Sequence, residues 1–132
     1  MEFMLDTNIC IYLIKKKPGK LLEKIQSLSV GEAALSSITL SELEYGVAKS
    51  TEPERNRRAL EAFIAPLDVM PFDEQAAYHY GRTRAFLEKK GTPVGAMDML
   101  IGAHALSLSL TIVTNNVREF QRIPDLRVEN WV

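Results

Sequence analysis

Short apolar runs that break into polar turns, each followed by residues at helical spacing, constrain this chain more than any other feature of its sequence. Phe3-Met4-Leu5 runs straight into Asp6-Thr7-Asn8, and Ile9, Cys10, Leu13 and Ile14 then recur on one helical face. That reads as strand, turn, helix. Pro18-Gly19 breaks the chain, and Leu21, Leu22, Ile25 and Leu28 make a second amphipathic helix. Ala33-Ala34-Leu35-Ser36 is a second strand; Thr39-x-x-Glu42 has the form of a capping box opening a helix with Leu40, Leu43 and Val47. Pro53 sits in the first turn of a fourth helix, with Leu60, Phe63 and Ile64 inward. Leu67–Met70 is a third strand, and Asp73 caps a long helix carrying Ala76, Ala77, Tyr80 and Leu87 up to Gly91. Met97–Leu108 is apolar nearly all round, as a buried helix is. Leu110–Val113 is a β-branched fourth strand; Phe120, Pro124 and Leu126 close a helical turn, and Arg127–Asn130 is a last strand.

Strands alternating with helices predict an α/β fold with a mainly parallel central sheet of four to five short strands, flanked by helices. Two helices separate strands two and three, and two separate strands three and four, so strand three has the least determined place. At 132 residues the chain is expected to form a single domain over 1–132. Its 46% hydrophobic and 25% charged residues exclude disorder, collagen and a coiled coil. The longest apolar run, Ile9–Ile14, is far short of the ~20 residues a membrane span needs, so no membrane association is expected. The N-terminus lacks a signal peptide's basic region and cleavage site, and the lone Cys10 cannot form an internal disulfide, which together suit the cytoplasm. The formal net charge is −1, so overall charge does not point to nucleic acid. The basic clusters, Lys15–Lys17 with Lys20, Arg55 with Arg57 and Arg58, Arg82 with Arg84, and Lys89-Lys90, read either as solvated helix faces or as local positive stripes.

In a parallel sheet all C-terminal strand ends share one edge, where ligands bind. Asp6 directly follows strand one, Glu42 falls in the first turn of the helix after strand two, and Asn115, Asn116 and Glu119 follow strand four. Asp98 opens the helix before strand four, and a helix tightly linked to a strand's start returns its own N-terminus to that same edge. Asp6, Glu42, Asp98 and the Asn116/Glu119 pair therefore converge. Each has a dull reading: Asp6 as a helix cap, Glu42 as the back-reaching member of its box, Asp98 as a first-turn carboxylate. Together they mean repelling carboxylates, which a hard divalent cation among them would compensate. Oxygen donors without paired Cys or His select Mg²⁺ or Mn²⁺ over Zn²⁺, the setting for phosphate-ester chemistry. His79 and His104 are the competing acid–base pair, but His104 lies about 9 Å down its helix from Asp98 and His79 is mid-helix. Both read as surface or packed side chains, Cys10 as a small core residue and Trp131 as a packing anchor.

The ordered set Met4-Leu5-Asp6-Thr7-Asn8, Ser41-Glu42-Leu43 with Tyr45-Gly46, Gly95-Ala96-Met97-Asp98, Val113-Thr114-Asn115-Asn116, Arg118-Glu119-Phe120 and Trp131 spans essentially the whole chain. It resembles the PIN-domain ribonucleases, and among them the VapC toxins of bacterial type II toxin–antitoxin pairs. The resemblance implies a PIN-like three-layer fold and a Mg²⁺-dependent endoribonuclease, with Mn²⁺ as a substitute, silenced by a cognate VapB-type antitoxin. It implies an RNA substrate, a tRNA and in the branch most resembled the initiator tRNA anticodon stem-loop, and a homodimer. By resemblance Asp6 and Asp98 are metal ligands and Glu42 completes the acidic cluster. Asn116 stands where many PIN domains carry Asp, with Glu119 one turn later as the compensating carboxylate, which puts a tightly held second metal in doubt. Two alternatives remain from the residues themselves. A metal-binding phosphotransfer or phosphatase domain is weakened because Asp6-Thr7-Asn8 lacks the second Asp of an Asp-x-Asp signature and no Lys directly follows strand four. A catalytically inactive RNA-binding module is weakened by the intact Asp6, Glu42 and Asp98.

Overall fold

Each short apolar run becomes a strand that ends where its polar turn begins. The computed structural model describes residues 1–132, with strands β1 (Phe3–Leu5), β2 (Ala33–Ser36), β3 (Asp68–Met70), β4 (Thr111–Val113) and β5 (Val128–Glu129). Between them lie helices α1 (Thr7–Ile14), α2 (Lys20–Gln26), α3 (Ser37–Lys49), α4 (Pro53–Ile64), α5 (Glu74–Lys90), α6 (Ala96–Ser107) and α7 (Val117–Phe120). The five strands form one sheet in the order β3-β2-β1-β4-β5. Every neighbouring pair is parallel, with Met4 opposite both Ala34 and Ile112. Strand three, unplaced by the sequence, is an edge strand beside β2. The chain walks outward from β1 to β3, then returns to the other side of β1 for β4. That reversal at the C-terminal ends of β1 and β4 is the topological switch point where open α/β sheets bind ligands.

Alternation along the strands builds two cores. Phe3 and Leu5 of β1 face a cluster with Cys10, Leu13, Leu21, Leu43, Leu60 and Trp131, while Met4 faces the opposite cluster with Leu87, Ile101, Ile112, Phe120 and Ile123. Helices thus cover both faces, giving three layers and explaining why the strands read as nearly continuous apolar runs. α6 is buried at Met99, Ile101, Gly102, Ala103, His104 and Ala105. A Cβ on Gly102 would stand 2.4 Å from Ile123 Cδ1, so this glycine sets how closely α6 approaches the α7 segment. Gly91 ends α5 with φ +74, a left-handed cap. Trp131 is buried edge-on against Phe3, its Nε1 donating to Glu129 at 2.8 Å.

Three local expectations are corrected. The capping box at Thr39 does not form. Ser36, the last residue of β2, caps α3 two residues earlier by accepting from the Ile38 N–H at 3.0 Å, because strand passes into helix with no intervening loop. Thr39 is consequently a buried helical residue, and Glu42 lies in the second turn with its carboxylate free of capping. Ala77 is exposed, and Thr83 takes the inward position on α5 with Ala76 and Leu87. Leu67 and Leu110 precede rather than join their strands, and β5 keeps only two paired residues.

Candidate active site

Asp6 ends β1 and starts α1, and it does two things at once. It is 3% exposed, and one carboxylate oxygen accepts the Ile9 N–H at 2.8 Å, so it is the N-cap of α1. Its other oxygen accepts from the hydroxyl of Thr114, just past β4. Burial raises its pKa against these two hydrogen bonds, with a smaller push from the charge of Glu42. The same Thr114 hydroxyl accepts the Asn116 N–H at 2.8 Å, so one buried threonine ties the first acid to the turn after β4.

Asn116 carries the next link. Its Nδ2 donates to Asp98 at 3.0 Å and to Glu119 at 2.8 Å, holding two carboxylates around one neutral amide. The second oxygen of Glu119 accepts the Gly95 N–H, which no side chain of α6 itself caps. Glu119 thus fastens the N-terminus of α6, and a Cβ on Gly95 would meet its Oε1 at 3.0 Å. Burial and then the Glu119 charge push Asp98 up to about 6, while the Gly95 N–H holds Glu119 below the usual range. Glu42 reaches the edge from α3, its Oε1 accepting from the Thr7 hydroxyl at 2.6 Å. Thr39 stands behind that hydroxyl at 3.3 Å.

All five residues expected at the edge are therefore at the edge. Asp98, Asn116 and Glu119 are in direct contact, Asp6 joins them through Thr114, and Glu42 joins through Thr7 beside Asp6. Sequence reasoning missed Thr7 and Thr114. Their signal was present, since each directly follows or closes a strand-end turn, but a hydroxyl's partner across 35 or 108 residues is not written in the sequence. Asn115 is exposed and takes no part in these bonds.

No ion pair forms at this edge, where the charge of Arg122 acts only weakly on Glu119. The ion pairs of the chain are Arg55–Glu52, Arg57–Glu44 and Arg84–Glu88, all on exposed side chains elsewhere. These pairs, with Arg82 over Tyr78 and Lys90 over Phe86, account for most of the basic clusters as solvated helix faces. With hydroxyls and an amide between them, no three acids yet converge tightly enough to cage a metal. The donor set nonetheless suits a hard divalent cation: it is all oxygen, partly buried, and carries two carboxyls whose pKa values are raised chiefly by burial and further by the neighbouring acid charges. The histidines stand apart. His104 is buried with Nδ1 at 2.7 Å from Ser36 Oγ and its ring edge-on to Phe72, and burial lowers its pKa. His79 lies edge-on to Tyr78. Cys10 is fully buried, which raises its thiol pKa.

A parallel sheet in the order 3-2-1-4-5 with acids gathered at its switch point is the arrangement of a PIN domain. The PIN domain family model matches residues 3–126, and the chain belongs to this family. It is 52% identical over 131 residues to the tRNA(fMet)-specific endonuclease VapC of Salmonella typhimurium, covering 99% of this chain and 98% of that one. It is 50% identical to the protein of the same description from Shigella flexneri, over 99% and 98% of the two chains. Among solved structures, DNA-bound VapBC from Salmonella typhimurium superposes with a TM-score of 0.95 at 51% identity, over 100% of this chain and 99% of that one. Within the family, the chain groups with the VapC toxins of type II toxin–antitoxin systems.

Proposed function

We propose that this chain is a Mg²⁺-dependent endoribonuclease, with Mn²⁺ as a substitute, whose working residues are Asp6, Glu42 and Asp98, supported by Asn116 and Glu119. The observation that carries this reading is the convergence of Asp6 and Asp98, both with pKa values raised by burial and neither in an ion pair, next to Glu42 at the switch point of the sheet. Asp6 and Asp98 would hold the ion, since each presents a carboxylate from a fixed element end. A carboxylate-held Mg²⁺ that keeps several waters supplies a Lewis acid for the phosphate and an activated water. Thr7 fixes the rotamer of Glu42, leaving its second oxygen to orient water. Asn116 and Glu119 set where Asp98 stands by bonding it and the start of α6. Water gives up one proton as its oxygen bonds to phosphorus, the bond from phosphorus to the 3′ oxygen breaks, and the leaving 3′ oxygen takes up a proton, so that one water is added across the bond.

Relatives described as tRNA(fMet)-specific endonucleases support tRNA, the initiator tRNA in particular, as the RNA cleaved. Relatives solved as VapBC complexes support a VapB-type antitoxin as the partner that silences the enzyme. A basic antitoxin side chain fits the uncompensated edge: an Arg guanidinium can fork onto the carboxylates where the cation would sit. We also propose a cytoplasmic enzyme that folds as one domain over 1–132 and works as a homodimer. No helix is long and apolar enough to cross a membrane. The test is incubation with RNA and with a phosphomonoester, each with and without EDTA. RNA cleavage abolished by EDTA, with the monoester untouched, is the expected result; monoester hydrolysis alone indicates a phosphatase, and RNA binding without cleavage an inactive module.

A further inference from the structure

We propose that Tyr45 and Lys49 form a subsite for one unpaired nucleotide of the RNA next to the acid edge, the base stacking on Tyr45 and a flanking phosphate meeting Lys49. This rests on the nuclease reading above. Glu42, Tyr45 and Lys49 stand at i, i+3 and i+7 on α3, so they make one stripe along a single face of the helix. At 1.5 Å per residue, Tyr45 lies about 4.5 Å and Lys49 about 10 Å along the axis from Glu42. An acid, an aromatic ring and a cation therefore follow one another away from the reacting centre.

The stripe forms one wall of a groove of about 520 Å³, faced by Thr7 and Ile11 of α1 and by Met97 of α6. The groove opens directly from the catalytic edge: Thr7 and Glu42 are the pair hydrogen-bonded at 2.6 Å, and Met97 immediately precedes Asp98. Tyr45 is 65% exposed and Met97 48%, so neither side chain is spent on the core. Lys49 Nζ lies 4.9 Å from the Tyr45 ring centroid, so cation and ring sit together on the groove wall, the ring 65% exposed. A stacked base of a duplex already has both faces covered. A ring set beside the cleavage centre consequently favours a base that is not paired, in a loop or single strand, and tolerates any base identity.

The test is steady-state cleavage of the initiator tRNA anticodon stem-loop, together with a set in which each nucleotide flanking the cut is made abasic in turn. Tyr45→Ala is expected to lower kcat/KM about tenfold, mainly through KM, and Tyr45→Phe to retain it. Wild type is expected to lose a similar factor at one abasic position, and Tyr45→Ala to be insensitive to that same position, because base and ring act as one contact. Lys49→Gln is expected to weaken binding and flatten its salt dependence. Thermal midpoints equal to wild type confirm that the variants fold. Wild-type kinetics in Tyr45→Ala, or losses that multiply independently with every abasic site, overturn the subsite while leaving the nuclease reading intact. Weakened antitoxin binding with unchanged RNA kinetics assigns the ring to the protein partner and overturns it equally. RNA left whole by the wild-type enzyme with Mg²⁺ or Mn²⁺ overturns the nuclease reading and the subsite with it.

Discussion

Asp98→Asn should abolish cleavage yet make the metal-free protein more stable at neutral pH. The carboxyl of Asp98 rises from 3.8 to about 6 on folding, chiefly through burial and then through the Glu119 charge. At about 1.4 kcal/mol per pH unit that is about 3 kcal/mol of charge penalty. Asp98 is only half-buried, and solvent screening reduces this to about 1–2 kcal/mol. The sign follows from the direction of the shift. The folded state prefers the protonated acid, so the penalty is absent below pH 3.8, where both states are protonated, and complete above about 6. The contribution of Asp98 to the stability of metal-free wild type should therefore be lost as pH rises through that window. Asparagine keeps the shape and can still accept from the Asn116 amide, which bonds Asp98 at 3.0 Å, but carries no charge. In EDTA the variant should melt roughly 3–8 °C above wild type at pH 7.5 and level with it near pH 4. Differential scanning calorimetry at both pH values, paired with an RNA cleavage assay, makes the measurement. A variant less stable at pH 7.5, an equal advantage at both pH values, or normal cleavage refutes the reasoning.

Further outcomes are expected. Mg²⁺ or Mn²⁺ should raise the thermal midpoint of wild type, by an amount corresponding to about 2.7 kcal/mol at a hundred times Kd, and the rise should vanish in Asp6→Asn; a flat titration would leave the acids without their cation. Gly102→Ala should cost about 1–3 kcal/mol in denaturant unfolding, because its Cβ would fall 2.4 Å from Ile123 Cδ1. An unchanged midpoint would show that the α7 segment yields freely. In a purified complex with the antitoxin, a basic side chain should stand against Asp6, Glu42 or Asp98; an antitoxin bound only far from that edge contradicts the proposed mode of silencing.

Much of the fold was legible because its elements announce their own ends. Asp73 does cap α5, Gly91 does stop it, and Pro53 does occupy the first turn of α4. What was not legible depends on partners distant in the chain. Ser36 and Thr39 are both good capping residues, and only the unbroken passage of β2 into α3 decides for Ser36. That decision also releases Glu42 from the box and gives its carboxylate to Thr7. Nothing local fixes β3 at the sheet edge, since its pairing with β2 forms across two helices. At the site, the cap reading of Asp6 is met by one oxygen, which accepts from Ile9, and its other oxygen accepts from Thr114 across the sheet. Asn116 departs from the acid expected there, yet its amide makes bonds to Asp98 and Glu119 that a carboxylate in its place would replace with repulsion.

The chemical identity of the cut ends tests the central claim most directly. A histidine-dependent ribonuclease uses the 2′-OH of RNA as nucleophile and leaves a 2′,3′-cyclic phosphate with a 5′-OH. Here His104 is buried against Ser36 and Phe72, and His79 lies against Tyr78, so neither serves the acid edge. Under the proposal, water attack at Asp6, Glu42 and Asp98 would instead leave a 5′-phosphate and a 3′-OH. Mass spectrometry of the fragments, with a substrate carrying one 2′-deoxy or 2′-O-methyl group at the cleaved bond as control, reads the difference. The account predicts 5′-phosphate ends, continued if slower cutting of the modified substrate, and complete inhibition by EDTA. Cyclic phosphate on the fragments, or cleavage that survives EDTA in highly purified protein, contradicts it.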